Sequence, residues 1–138
     1  MFYALTAPDN SVAIMQVVEG ADLDECVAKF AAVSFKPVSV RPIDPAVLPA
    51  DRAYRDAWTF DGERFGHDIA KAREAHRNNL RAQREPMLKA QDVLLMRAIE
   101  TGADTKAIAV EKQRLRDAPA DPRIDAAQTV DELKLITL

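Results

Sequence analysis

The chain has 138 residues, 48% of them hydrophobic and 30% charged, and a formal net charge of −3. A chain of this length can bury a hydrophobic core without disulfides or a structural metal, and the single cysteine excludes an internal disulfide framework. The acidic balance argues against a protein that wraps nucleic acid, because such binding depends on cations that neutralise phosphates. We also expect no membrane insertion and no export signal, since no apolar run is long enough.

Residues 1–47 are predicted to form a small α+β domain. Two apolar, β-capable runs at Phe2–Thr6 and 12–18 flank a turn and predict a hairpin. The apolar residues of Leu23–Val33 recur at intervals of three and four, which predicts an amphipathic helix. A third strand at 38–41 is bracketed by prolines, so we expect it at a sheet edge.

Residues 48–67 are predicted to be a proline-rich linker and aromatic junction. A helical turn would bring Tyr54 and Trp58 to one side, and Gly62 follows an aspartate as in a tight hairpin turn. Such a cluster is expected to be a plug that joins the two halves of the chain. The alternative is an exposed docking surface, because aromatic residues and arginine dominate binding hot spots. The candidate partner-binding residues here are Tyr54, Arg55, Trp58 and Phe60.

Residues 68–138 are predicted to be a mainly α-helical arm or hairpin, which makes the whole chain α+β. Helical spacing predicts one helix over 69–85 and a second over 87–101, which Gly102 ends. Pro86 either ends the first helix or starts the second. The first of these helices is thinly apolar. We therefore expect the arm to need a partner that covers the larger apolar faces of the second helix.

Two further helical segments are predicted near the C-terminal end. Asp104 is a candidate cap for a third helix that runs through Asp117. Thr129 and Glu132 have the spacing of a capping box, which predicts a last helical turn.

A stripe of arginines runs along the first predicted helix of the arm. A solvated helix face explains such a stripe, and contact with an acidic partner or a phosphate backbone is the alternative. No aromatic residue lies between these arginines, which argues against stacking on single-stranded nucleic acid. Members of the stripe, also candidate partner-binding residues, are Arg73, Arg77, Arg81 and Arg84.

No pattern of catalytic, cofactor-binding or metal-binding residues is recognisable. His67 and His76 are nine residues apart, whereas two ligands on one helical face are four apart. Cys26 lies on the apolar stripe of its predicted helix and is expected in the core. The four glycines are too widely spaced for a phosphate loop. We therefore expect a non-enzymatic protein with no cofactor and no metal.

Three stretches of the chain share the pattern of a known module. They are LPADRAYRDAW at 48–58, DIAKAREAHR at 68–77 and LRDAP at 115–119. Together they resemble a module of small tail-region proteins of tailed bacteriophages, described as tail assembly chaperone-like or tail-fibre-associated, over about residues 48–134. The matching positions are Asp51, Arg52, Arg55, Trp58, Asp68, Lys71, Arg73, Leu115, Arg116 and Asp117.

The resemblance implies a role in the virion or in its assembly, without catalysis. The leading hypothesis is a structural component of a phage tail, tail tip or tail-fibre attachment region. Such a protein would be made in the bacterial host cytoplasm and would reside in the virion in multiple copies, in contact with other tail or fibre proteins. The alternative is a tail or tail-fibre assembly chaperone that is absent from the mature particle. A third hypothesis is a small nucleic-acid or regulatory binder that uses the arginine stripe.

Overall fold

The computed structural model describes all 138 residues, which form two compact units, Met1–Lys71 and Ala72–Leu138. The first unit contains every strand and one complete helix, and the second is helical. The predicted α+β class is therefore confirmed. No helix combines the length and the apolar character that crossing a membrane requires.

A three-stranded antiparallel sheet forms the centre of the first unit. Its strands are β1 (Phe2–Thr6), β2 (Val12–Gln16) and β3 (Ser39–Ile43), in the order β2-β1-β3. Phe2 lies opposite Gln16 on one side and Ile43 on the other. The predicted strands are present, although β2 ends earlier and β3 starts later and continues through a proline. A proline fits an edge strand because its position there needs no donor.

Helix α1 (Leu23–Val33) joins β2 to β3 and has the predicted bounds. The Asp22 side chain accepts a hydrogen bond of 2.8 Å from the Glu25 main-chain N–H, which satisfies a donor that the first turn leaves free. Phe30 packs edge-to-face on Phe35 just beyond the helix, with ring centroids 5.0 Å apart.

The rest of the first unit consists of short turns and a hairpin. Two 3-10 turns, Pro45–Val47 and Arg55–Ala57, precede β4 (Trp58–Phe60) and β5 (Phe65–His67), which pair antiparallel. The turn between these strands contains Gly62 at φ 108°, a conformation that favours glycine. The hairpin predicted around this glycine is therefore confirmed.

Residues 48–67 belong to the first unit, whereas the sequence predicts a linker and junction. The division between the units falls after Lys71. Tyr54 and Trp58 are only 4% and 6% exposed, and β4 contacts β1 and β2. A segment with such burial has the character of a folded part of a domain. Prolines and turn residues indicate irregular chain, but they do not show whether that chain is packed.

Helix α2 (Ile69–Thr101) is a single 33-residue helix with Pro86 inside it. The prediction that Pro86 separates two helices is wrong. Proline removes one hydrogen bond to the carbonyl four residues earlier, here that of Ala82. Both residues are exposed, so water can satisfy this carbonyl and the helix continues. Gly102 follows the helix at φ 68°, as predicted for a residue that ends it.

Helix α3 (Lys106–Asp117) returns along α2 and forms a helical hairpin with it. Lys112 on α3 forms an ion pair with Asp92 on α2. The N-cap residue of α3 is Thr105, one residue after the predicted Asp104, and its side chain makes no capping bond. The Asp104 side chain still accepts from the Lys106 N–H at 3.0 Å, so it satisfies a free donor of the first turn.

Two short helices, α4 (Pro122–Ala126) and α5 (Val130–Lys134), complete the second unit after a 3-10 turn at Ala118–Ala120. Half of the predicted capping box is present, since the Thr129 side chain accepts from the Glu132 N–H at 3.2 Å. The Glu132 carboxylate accepts from the Gln128 N–H at 2.6 Å and not from that of Thr129. The core lies where these helices meet the first half of α2 and the end of α3. Its largest fully buried side chains are Leu80, Leu115, Ile124 and Leu133.

Candidate functional site

A groove of about 500 Å³ opens on the first unit, between one face of the sheet and the segment 48–58. Side chains alternate between the two faces of a strand, so residues two apart on β2 lie on the same side of the sheet. The sheet side of the groove consists of Phe2, Val12, Ala13, Ile14 and Gln16. The opposite side consists of Leu48, Arg52, Arg55, Asp56 and Trp58.

The charged residues of the groove are two arginines and one aspartate. Arg55 Nε lies 3.9 Å from the Asp56 carboxylate, and both side chains are largely exposed. An exposed pair at this distance contributes little stability. Arg52 is also exposed. Because the groove has two arginines and one aspartate, its charged residues carry a net positive charge.

Trp58 is the largest side chain that lines the groove, and its indole is almost entirely buried. The ring packs on Phe65 with centroids 5.8 Å apart and an angle of 66° between the planes. The indole Nε1 is the only buried side-chain polar atom without a hydrogen-bond partner. A buried donor without an acceptor costs about 1–3 kcal/mol, so this N–H is an unfavourable feature of the packing around Trp58.

The four candidate residues of the aromatic segment divide into two pairs. Arg55 and Trp58 line the groove. Tyr54 is buried and packs edge-to-face on His67, with ring centroids 6.4 Å apart. Phe60 is half-buried and packs on Phe65, with ring centroids 4.8 Å apart. The latter pair therefore contributes to the packing around the β4–β5 hairpin.

Two arginines of the predicted stripe bind main-chain carbonyls inside the second unit. Arg73 donates from Nε and from one Nη to the Ala127 carbonyl, at 3.1 and 2.7 Å. Arg84 donates to the carbonyls of Leu115 and Arg116, at 3.2 and 2.5 Å. These side chains fasten the segments after α4 and at the end of α3 to α2.

The other two arginines of the stripe form ion pairs. Arg77 pairs with Asp125 on α4 and with Glu74 on its own helix. Arg81 donates to Glu74 and Asn78 at 3.0 and 2.7 Å, and its side chain is about half exposed. All four arginines of the stripe therefore form hydrogen bonds or ion pairs within the second unit. Their regular spacing in the sequence did not indicate these contacts.

The second half of α2 carries a set of exposed apolar residues, here called the apolar surface of α2. This half of the helix packs through Ala98, which is buried, and through Leu88 and Leu95, which are half-buried. The exposed side chains lie on the other sides of the helix. The apolar surface of α2 comprises Met87, Val93, Leu94, Met96 and Ile99, which are 39–65% exposed.

The histidines and the cysteine do not line the groove. His76 is buried in the second unit, where its Nε2 lies 2.8 Å from the Ile136 carbonyl oxygen. His67 is exposed on β5. Cys26, expected in the core, is only half-buried on α1. No three histidine, cysteine or acidic side chains are grouped as metal ligands.

No protein-family model, curated protein or solved structure matches this chain.

Proposed function

We propose that the protein is a non-enzymatic structural component of a bacteriophage tail, tail tip or tail-fibre attachment region. It acts through contacts with other tail or fibre proteins and is present in several copies. The resemblance of residues 48–134 to small tail-region proteins supports this role. The structural observation that carries the proposal is the apolar surface of α2.

Five apolar side chains in the second half of α2 are 39% exposed or more. Val93 is 50% exposed, and Met96 and Ile99 are 63% and 65% exposed. These side chains alternate with exposed charged residues such as Lys89 and Arg97, and exposed apolar side chains that lie close together commonly mark a contact with other protein. Complete burial of one such side chain contributes about 1.5–3 kcal/mol, so a neighbouring subunit would gain appreciably from this contact.

The distribution of these side chains around the helix favours more than one neighbour. At about 100° per residue, the exposed positions span roughly 240° of the circumference, outside the stripe that faces α3. A single packed helix covers a stripe only somewhat wider than about 100°. Coverage by at least two surrounding elements fits a protein within a multi-subunit assembly.

The decisive experiment is to count copies of the chain in purified infectious particles by quantitative mass spectrometry. A structural tail component is expected at a fixed copy number per particle. Absence from particles would contradict the proposal. If the chain were then recovered from infected cells in complex with another tail protein, the assembly-chaperone alternative would replace it.

A matched pair of variants tests the role of the apolar surface of α2. Val93→Glu with Met96→Glu places two charges on it, and Ala82→Glu with Gln83→Glu places two charges on an exposed part of the same helix. Both proteins should retain their helical circular dichroism. The first variant should be depleted from particles by about tenfold or more, whereas the second should assemble normally. Equal incorporation would exclude this surface as the assembly contact.

A further inference from the structure

The two edges of the three-stranded sheet differ in their protection. Exposed sheet edges offer unpaired main-chain groups to other chains, and proteins commonly block them with proline or charge. Strand β3 forms one edge and contains Pro42, opposite Tyr3 of β1. Strand β2 forms the other edge and contains neither proline nor a charged residue. The β2 edge is therefore the one open to strand pairing.

The hydrogen-bond pattern identifies the free groups on β2. Met1 and Val17, just beyond the ladder, exchange two main-chain hydrogen bonds of 3.0 and 2.9 Å. Bonded pairs alternate along an antiparallel ladder, so every second residue of β2, counted back from Val17, bonds to β1. The intervening residues direct their N–H and C=O groups away from the sheet. They are Val12, Ile14 and Gln16.

The same three residues line the groove. A strand that paired with this edge would alternate its side chains in phase with those of β2. One set would lie over the groove, where Phe2 and Leu48 offer apolar contacts and Arg52 and Arg55 offer positive charge. A carboxylate would match the guanidinium groups, since arginine binds carboxylates through paired hydrogen bonds.

We propose that the β2 edge and the adjoining groove bind an extended acidic segment of a partner protein. Its main chain adds a fourth strand beside β2, and its groove-facing side chains combine apolar residues with at least one carboxylate. This inference rests on the proposed function, in which the protein acts through contacts with other proteins. It adds the chemistry of the partner segment that binds here.

A peptide selection with the purified full chain provides the test. The probe is a displayed library of random peptides of about ten residues, the length of a long strand. Selected peptides should contain aspartate or glutamate among alternating apolar residues and should lack proline at the paired positions. A library that yields no binder, or only basic binders, would overturn the proposal.

Charge reversal in the groove gives a matched comparison. Arg52→Glu and Arg55→Glu should each weaken binding of a selected peptide about tenfold in fluorescence polarisation, and high salt should weaken it in the parent protein. Arg64→Glu changes the net charge equally at an exposed residue that does not line the groove, and it should bind normally. Equal affinity of all three variants would overturn the assignment of the groove.

Main-chain pairing has its own signature. N-methylation of alternate peptide residues should abolish binding, while methylation of the intervening residues should be tolerated, because only every second N–H faces the edge. Amide hydrogen exchange at Val12, Ile14 and Gln16 should slow in the complex. Binding without either effect would exclude strand addition. These experiments use purified protein, so they can fail even if the chain is counted in phage particles, and the converse also holds.

Discussion

The guanidinium of Arg73 on α2 donates two hydrogen bonds to a single acceptor, the carbonyl of Ala127 at the end of α4. This contact joins residues 54 positions apart and helps to hold the C-terminal segment on the long helix. It also provides the clearest mutational test of the second unit.

We predict that Arg73→Ala lowers the free energy of unfolding by about 1.5–3 kcal/mol, the usual contribution of hydrogen bonds from a charged donor. Arg81→Ala serves as the control, because Arg81 pairs only with exposed residues of its own helix and should cost less than about 1 kcal/mol. Urea denaturation measures both values. Equal losses would show that the Arg73 contact contributes no more than an exposed ion pair.

Pro86 offers a stabilising substitution. Proline in a helix interior costs about 3 kcal/mol relative to alanine, and Pro86 is exposed, so its replacement removes little packing. We predict that Pro86→Ala raises the free energy of unfolding by about 1–3 kcal/mol. Pro122→Ala is the matched control, because Pro122 is the first residue of α4, where proline is well suited. A destabilised Pro86→Ala protein would contradict the prediction.

The pair of Asp9 and Lys71 is expected to make the stability of the first unit depend on pH. Lys71 Nζ lies 2.8 Å from Asp9 Oδ2, and this hydrogen bond, with those from Ser11, lowers the pKa of Asp9 far below its ordinary 3.8. A lowered folded-state pKa contributes stability that is present above 3.8 and is lost as the pH falls toward the folded value.

We therefore expect the parent protein to lose stability between about pH 5 and about pH 2, with part of that loss due to Asp9. Asp9→Asn should flatten the slope of unfolding free energy against pH in this window. Lys71→Met should flatten it partially, since Lys71 is the largest cause of the shift. Unchanged slopes in both variants would rule out this linkage.

Trp58 tests the packing of the first unit. We predict that Trp58→Ala lowers the free energy of unfolding by about 3–5 kcal/mol, because it leaves a large cavity. Trp58→Phe should cost less, since it retains an aromatic ring and removes the indole N–H that has no acceptor. Urea midpoints give the comparison. A Trp58→Phe protein as unstable as Trp58→Ala would show that the indole makes a contact the ring alone cannot supply.

Local signals in the sequence predicted much of the secondary structure. The apolar spacing of Leu23–Val33 and the turn glycine Gly62 act over a few residues, so their effect is visible in the chain itself. Helix α1 and the β4–β5 hairpin follow from them. The failure at Pro86 has the opposite origin, because the continuity of α2 depends on solvent access around the helix and on the contacts of its two halves.

The candidate site was only partly predictable for the same reason. The aromatic and arginine content of 48–58 indicated a contact surface, and Arg55 and Trp58 do line the groove. The contribution of Val12 and Ile14 depends on strand order and register, which no local pattern specifies. The acceptors of Arg73 and Arg84 are main-chain carbonyls distant in the sequence. Every residue has such a carbonyl, so the amino-acid sequence does not indicate which one an arginine binds.

That last feature also bears on how the protein can change over evolutionary time. Arg84 holds the carbonyl of Arg116, and Arg73 holds that of Ala127, and every amino acid presents the same carbonyl. As far as these contacts are concerned, positions 116 and 127 can accept substitutions without any compensating change on α2. Methods that infer contacts from co-varying side chains would therefore miss two of the interactions that fasten the second unit together.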